Sequence, residues 1–251
     1  MDVRVQGPGP AAPFLSARDL FETEHDLDRP VHVHVRTDPD ERTWTGHHDD
    51  RHVLNVSRRA ATSAMARELA LHEFAHMLRH EQDHPSHTQS TEEAIYLALS
   101  GRSVERRRLT HCYQIANHMK DIYADDVTLS VGPADKLVDF LEAGLAAALD
   151  DRPLPGFAAR HRVTATADPE ITAVNAAFAL ALVERHDLAS NDHRLYDLAH
   201  AAADDAPGID LDGFKRQFRS LAADTDESEY RKALVDVTRT YAGDGGRLAA
   251  D

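Results

Sequence analysis

Residues 68–78 read Glu-Leu-Ala-Leu-His-Glu-Phe-Ala-His-Met-Leu, with His72-Glu73-Phe74-Ala75-His76 at the centre. The apolar period here is helical. Met65, Leu69, His72 and His76 fall at i, i+4, i+7 and i+11, so one stripe of a helix over roughly 60–81 carries both histidines. The stripe predicts that the histidines continue an apolar, inward-facing row. Two histidines four apart send both imidazoles from one face, where they can share one Zn²⁺. Glu73, beside the first of them, can then act as general base toward a zinc-bound water.

The pattern alone is weak, because the chain is rich in histidine. With 17 His among 251 residues, chance supplies about 0.06 HEXXH matches per chain of this composition. His80-Glu81-Gln82-Asp83-His84 is a second formal match. The two differ physically. HEFAH has uncharged inner residues and apolar flanks. HEQDH carries Asp83 inside, lies in a polar run and abuts Pro85, which biases His84 away from the helix. The expectation is that HEFAH carries the chemistry, and that His80, His84 and His87 belong to a solvated, His-rich helix end.

Working outward, the N-terminal third mixes periods. A short helix is expected at 16–24, opened by Ser16. PVHVHVRTD (30–38) alternates with period two and reads as a strand, as do RTWTG (42–46) and RHVLNVSR (51–58). Asp38-Pro39-Asp40 and Gly46 mark turns, which predicts a small antiparallel sheet. C-terminal to HEFAH, Ser90-Thr91-Glu92-Glu93 matches a capping box. Helices follow over roughly 91–100, 103–126 and the stripe Leu137, Leu141, Leu145. Residues 151–169, with two internal Pro and one Gly, are the best internal boundary. They divide a catalytic region (1–150) from a helical region (151–251) with a stripe at Ile171, Val174, Phe178 and Leu182. The fold class expected is α+β: a small N-terminal antiparallel sheet, the HEXXH helix, and helices for the remainder.

Composition narrows the function classes. The net charge of −15 comes from 28 basic and 43 acidic residues. This argues against a nucleic-acid partner, which would be met by a basic field. Lys occurs only at 120, 136, 215 and 232, and Arg supplies the rest of the basic residues. High Asp, scarce Lys and few aromatics resemble proteins of salt-adapted archaea, whose solvent screens self-repulsion. No stretch reaches the ~18 apolar residues of a membrane span, so no membrane partner is expected, and the N-terminus lacks a continuous apolar signal core. Cys112 is the only cysteine, which fits a reducing cytoplasm and an inert, buried thiol.

A catalytic zinc needs a third protein ligand. Glu92 and Glu93 are candidates, although Glu93 is already explained by the capping box. The helix from His111 to Asp126 is the other source: Asn117, Asp121 and Asp125 recur every four residues along one face, with His111 and His118 close by. HEFAH followed by Asp121-Ile122-Tyr123-Ala124-Asp125 resembles the zincin peptidases, in which an HEXXH helix is followed by a helix bearing ExxxD. The stretch from HEFAH through HCYQIANHMKDIYADD is also similar to an uncharacterised haloarchaeal family of metallopeptidase-like proteins. The resemblance covers roughly residues 50–130. It implies that His72, His76 and Asp121 bind zinc, that Glu73 is the base, and that Asp125 orients a motif histidine or takes the ligand position itself. Asp121 departs from the Glu of that pattern and, being shorter, requires a closer helix. His118, His111 and Tyr123 are candidates to polarise an oxyanion. The function so implied is zinc-dependent hydrolysis of a peptide bond in a peptide or protein substrate. The same site could serve another amide or an ester, and a fourth protein ligand would instead make the metal structural.

Overall fold

The computed structural model describes residues 1–38, 41–151 and 168–244. The expected boundary at 151–169 and the turn at Pro39-Asp40 lie almost wholly outside the described residues. The chain is α+β, with one four-stranded sheet and a majority of helix. Among the described residues no helix is long and apolar enough to cross a membrane.

The chain divides into two compact units. One comprises Met1–Thr88 with Tyr123–Lys136, and the other Gln89–Ile122 with Leu137 onward. The first holds the sheet. Its strands are β1 (Val3–Gln6), β2 (Val31–Arg36), β3 (Trp44–His47) and β4 (His52–Ser57), in the order β1-β2-β4-β3. Three of the four lie where alternation places them, but the sheet is not antiparallel. β1 pairs parallel to β2 (Val3 opposite Val31), β2 pairs parallel to β4 (Val33 opposite Leu54), and only β3 runs antiparallel to β4 (His47 opposite His52). One reason is that β4 folds back on β3 and inserts between β3 and β2, which sets it parallel to β2. The other is an unexpected first strand and a helix that starts earlier than expected. Helix α1 spans Ala12–Phe21, with a Pro in its first turn, and Ser16 lies inside it rather than at its start. A helix between β1 and β2 carries the chain back to the end where β1 began, so the next strand runs parallel. Gly7 makes the exit from β1 possible: its φ is +103°, and a Cβ there would meet the Val35 carbonyl oxygen at 2.1 Å.

Val31, Val33 and Val35 face one side of β2 and are buried. They meet Phe14 and Phe21 of α1 and Leu71, Phe74, Ala75 and Leu78 in one core. The last four belong to helix α3 (Ala66–Glu81). A separate short turn, α2 (Arg58–Ala61), precedes it, so the single expected helix over 60–81 is broken at Thr62–Met65. The buried face of α3 is Ala70, Leu71, Phe74, Ala75, Met77 and Leu78. Met65, Leu69, His72 and His76 are half-buried. The histidine stripe therefore borders the buried face and does not continue it inward, which leaves both imidazoles open on one side. After α3, Asp83 takes a φ of +49° and Pro85 starts the four-residue helix α4 (Pro85–Thr88).

The second unit is helical. Helix α5 (Thr91–Leu99) is capped by Ser90, whose hydroxyl accepts from Glu93 N at 3.2 Å. Helix α6 (Arg106–Val131) is one unbroken helix whose last turns belong to the first unit. Helices α7 (Asp135–Asp150), α8 (Pro169–Arg185), α9 (Arg194–Asp204), α10 (Leu211–Arg219) and α11 (Glu227–Asp244) follow. α8 is the centre of this unit. Beyond the expected stripe, it is buried on nearly every side from Ile171 to Val183, as a helix apolar all round must be.

Candidate metal centre

Two elements of the first unit frame the HEFAH face of α3. One is β3, at the edge of the sheet. Residues two apart on a strand share a face. Thr45 and His47 accordingly both reach α3: Thr45 Oγ1 donates to Glu73 Oε2 at 2.6 Å, and the His47 ring stacks on His80 at 3.9 Å. Glu73 is thus held by a threonine that no motif pointed to. The other element is the C-terminal part of α6. Asp125, only 4% exposed, has Oδ1 2.8 Å from His72 Nδ1. A carboxylate only accepts, so His72 carries a proton on Nδ1.

His76 Nε2 lies 3.0 Å from His72 Nε2, with the rings nearly perpendicular at 82°. His76 Nδ1 lies 2.7 Å from Nε2 of His87 on α4. Two nitrogens sharing a tetrahedral zinc at ~2.05 Å stand about 3.3 Å apart. The pair is preset close to that spacing.

Asp121 precedes Asp125 by one turn of α6, so both carboxylates leave the same face of an unbroken helix. Its side chain is 25% exposed, and His118 Nδ1 lies 3.6 Å from its Oδ2. Two groups of His and acidic side chains among the described residues could hold a metal ion: His72, His76 and Asp121, and His111, Asp168 and Glu170. The second group is already neutralised. Arg107 pairs with Asp168, and Arg108 Nη2 lies 2.8 Å from Glu170 Oε1. Tyr241, whose phenol is pushed up by burial and by Glu170, donates to that carboxylate and accepts a hydrogen bond from His111 Nδ1–H. A cation there would have to displace two guanidiniums, so the cluster is an ion-pair clamp joining α6, α8 and α11.

The remaining sequence candidates resolve into structural roles. His118 stacks on Phe178 at 4.3 Å and places Nε2 2.8 Å from Asn175 Oδ1 on α8. Tyr123 is buried, with its ring against His84 and its carbonyl accepting from Arg79. Glu92 and Glu93 are exposed in the first turn of α5. Cys112 is buried and free, and burial pushes its thiol up to about 11, which leaves it inert.

HEQDH is a structural anchor rather than a solvated helix end. Glu81 accepts from the backbone N–H of Asp28 (2.8 Å) and Arg29 (2.9 Å) and from His52 Nε2 (2.9 Å). His52 Nδ1 is in turn 2.9 Å from His47 Nδ1. Burial, with the neighbouring His80 and His52, drives the His47 pKa down to about 3, and burial also lowers His52. The unfolded chain takes up these protons near pH 6.5 and the folded chain only further down. Stability is therefore expected to be full above about pH 6.5 and to fall progressively as pH drops toward 3. Urea midpoints at pH 7 and pH 5 measure the slope. His47→Asn should flatten it, and an unchanged slope would remove His47 as its source.

A family profile described as a family of unknown function (DUF5781) matches residues 1–243. The chain belongs to this family. No curated protein and no solved structure matches the chain. Within the DUF5781 match lie both HEFAH and the whole of α6, so the candidate centre is contained in the family's shared length.

Proposed function

We propose that this chain is a zinc-dependent hydrolase of zincin type, acting on peptide bonds, with His72, His76 and Asp121 as the ligands. The observation that carries the reading is the convergence of the two motif Nε2 atoms at 3.0 Å, with the other nitrogen of His72 engaged by Asp125. That separation is close to the ~3.3 Å at which two ligands of one tetrahedral zinc stand. Asp121 fits as the third ligand because helix geometry puts it on the face that already delivers Asp125 to His72. A His₂-carboxylate donor set suits zinc.

When bound, the ion would polarise the substrate carbonyl and acidify a neighbouring water. This chain's own residues do the rest. Glu73 leaves α3 next to His72 and takes the water's proton at the carboxylate. Thr45 holds Oε2 of that carboxylate, which leaves Oε1 to accept the proton and return it to the leaving nitrogen. Asp125 fixes the His72 ring so that Nε2 faces the centre. A general base held by an edge strand and an open histidine face match hydrolysis of an extended substrate better than a closed structural site.

The test is direct. Purified protein should contain about one zinc per chain, and zinc-loaded protein should cleave members of a mixed peptide library, read by mass spectrometry, with cleavage lost to a chelator. Asp121→Ala should lose the zinc and Glu93→Ala should keep it. A chain that binds no zinc, or an Asp121→Ala variant that retains it, would sink this assignment.

A further inference from the structure

We propose that a cavity between α6, α10 and α11 binds an apolar α-amino acid, with Lys232 meeting its carboxylate and Asp236 its ammonium. The site lies wholly within the second unit and stands apart from the zinc reading. It assigns work to residues that no motif of the sequence includes.

The cavity measures about 380 Å³. That is the low end of the ~300–1,000 Å³ of small-molecule sites, which suits a ligand of one residue. Three helices supply its apolar wall: Met119 from α6, Phe218 from α10, and Ala233 and Val237 from α11. Met119, Phe218 and Val237 are almost fully buried, so they form the inner end. Lys232 and Asp236 are exposed and stand at the mouth. They are four apart on α11, so both leave the same face. Opposite charges at that spacing commonly pair. Here neither side chain has a hydrogen bond or an ion pair with any described residue. Glu229, the third charged group of the wall, is committed elsewhere. Its carboxylate accepts from Asp226 N at 3.4 Å, and its own N–H donates to the Asp226 carboxylate at 2.8 Å, a reciprocal cap on α11.

The chemistry of the wall selects the ligand. A simple anion would meet Lys232 but be repelled by Asp236 and Glu229. A simple cation would meet the carboxylates but be repelled by Lys232. An uncharged apolar molecule would desolvate both mouth charges and pair neither. An α-amino acid carries an ammonium and a carboxylate on one carbon, with its side chain beside them. Its carboxylate accepts from the Lys232 ammonium, its own ammonium donates to Asp236, and an apolar side chain points inward toward Met119, Phe218 and Val237. Two charge-assisted bonds at the mouth and apolar burial below them make recognition depend on all three parts of the ligand.

The experiment titrates the full chain, stripped of metal by a chelator, with L-leucine in a calorimeter. L-Leucine should bind saturably at one site per chain, with a Kd of about 10 µM to 1 mM. Three probes each lack one part of it: 4-methylpentanoate the ammonium, 3-methylbutylamine the carboxylate, and glycine the apolar group. Each should bind at least about tenfold more weakly. Lys232→Gln and Asp236→Asn should each weaken L-leucine about tenfold with the thermal midpoint unchanged, because neither side chain holds a described partner. Lys232→Gln should also erase the preference for L-leucine over 3-methylbutylamine, a change that general damage to the fold would not produce. No saturable binding of L-leucine up to about 10 mM would overturn the inference. So would an affinity unchanged in both variants, which would place the amino acid elsewhere. Neither result bears on zinc, since the titration is made without metal.

Discussion

Glu73→Gln is expected to abolish hydrolysis while leaving zinc in place. The substitution preserves shape. Gln can still accept the Thr45 hydroxyl that holds Oε2 at 2.6 Å, so the side chain should stay where it is. What it loses is the ability to take a proton from the attacking water. A positioned general base contributes about 10² to 10⁴ in rate, and kcat should fall by that factor with KM little changed. Zinc content and the thermal midpoint should match wild type, because Glu73 is not a ligand. A variant that kept more than about a tenth of the wild-type rate would remove Glu73 from the chemistry. A variant that lost zinc together with activity would assign the residue to the metal instead.

The second large effect is on the metal. His72→Ala or His76→Ala should each weaken zinc by more than about a hundredfold, because each removes a ligand outright. Asp125→Ala should cost less, about 10- to 100-fold, since it releases the His72 ring without removing its nitrogen. The stability readout separates this from general damage. In the metal-free protein the two Nε2 atoms meet at 3.0 Å, and both side chains are half-buried at the border of the core. Truncating either opens no cavity among Ala70, Leu71, Phe74 and Met77, but His72→Ala leaves the buried Asp125 without the Nδ1–H it accepts from, and His76→Ala removes the ring that meets His87. Metal-free His72→Ala and His76→Ala should therefore melt below wild type, so the effect of zinc is read as a shift from each variant's own metal-free midpoint. Added zinc raises the wild-type midpoint by mass action on the folded state and should leave the two variants unmoved. A zinc-induced shift of wild-type size in both variants would place the ion elsewhere.

These expectations turn on a distinction within α3. Helical spacing alone puts His72 and His76 on one face, because 3.6 residues per turn brings i and i+4 together. Spacing does not say which way that face points. The stripe through Met65 and Leu69 suggests an inward row, yet the buried row is Ala70, Leu71, Phe74, Ala75 and Leu78, one step around the helix. Period gives the angle between side chains. The direction of the core is set by where the sheet and α1 pack.

The same division runs through the molecule. Residue order by itself determined the local elements. Val31, Val33 and Val35 alternate and make a strand, Ser90 caps α5, Pro85 opens α4, and α6 carries Asp121 and Asp125 one turn apart. It also determined that HEFAH and HEQDH would differ, because Asp83 and Pro85 bar the second from a regular helix. Tertiary structure decided everything that depends on partners distant in sequence. The sheet became mixed because β4 inserts between β3 and β2, antiparallel to one and parallel to the other, and because α1 returns the chain so that β2 runs parallel to β1. Glu81 became an anchor because the loop at Asp28 and Arg29 offers it two backbone donors. Thr45 reached Glu73 because β3 pairs at the sheet edge. The histidines of 84–87, which look like a solvated helix end, found partners because the chain turns at Asp83 and sets α4 beside His76, with Ser86 buried between the His84 and His87 rings. Local sequence specifies dihedrals and faces. Which donor meets which acceptor across 11, 28 or 53 residues is settled only when the core closes and every buried polar atom must find its partner.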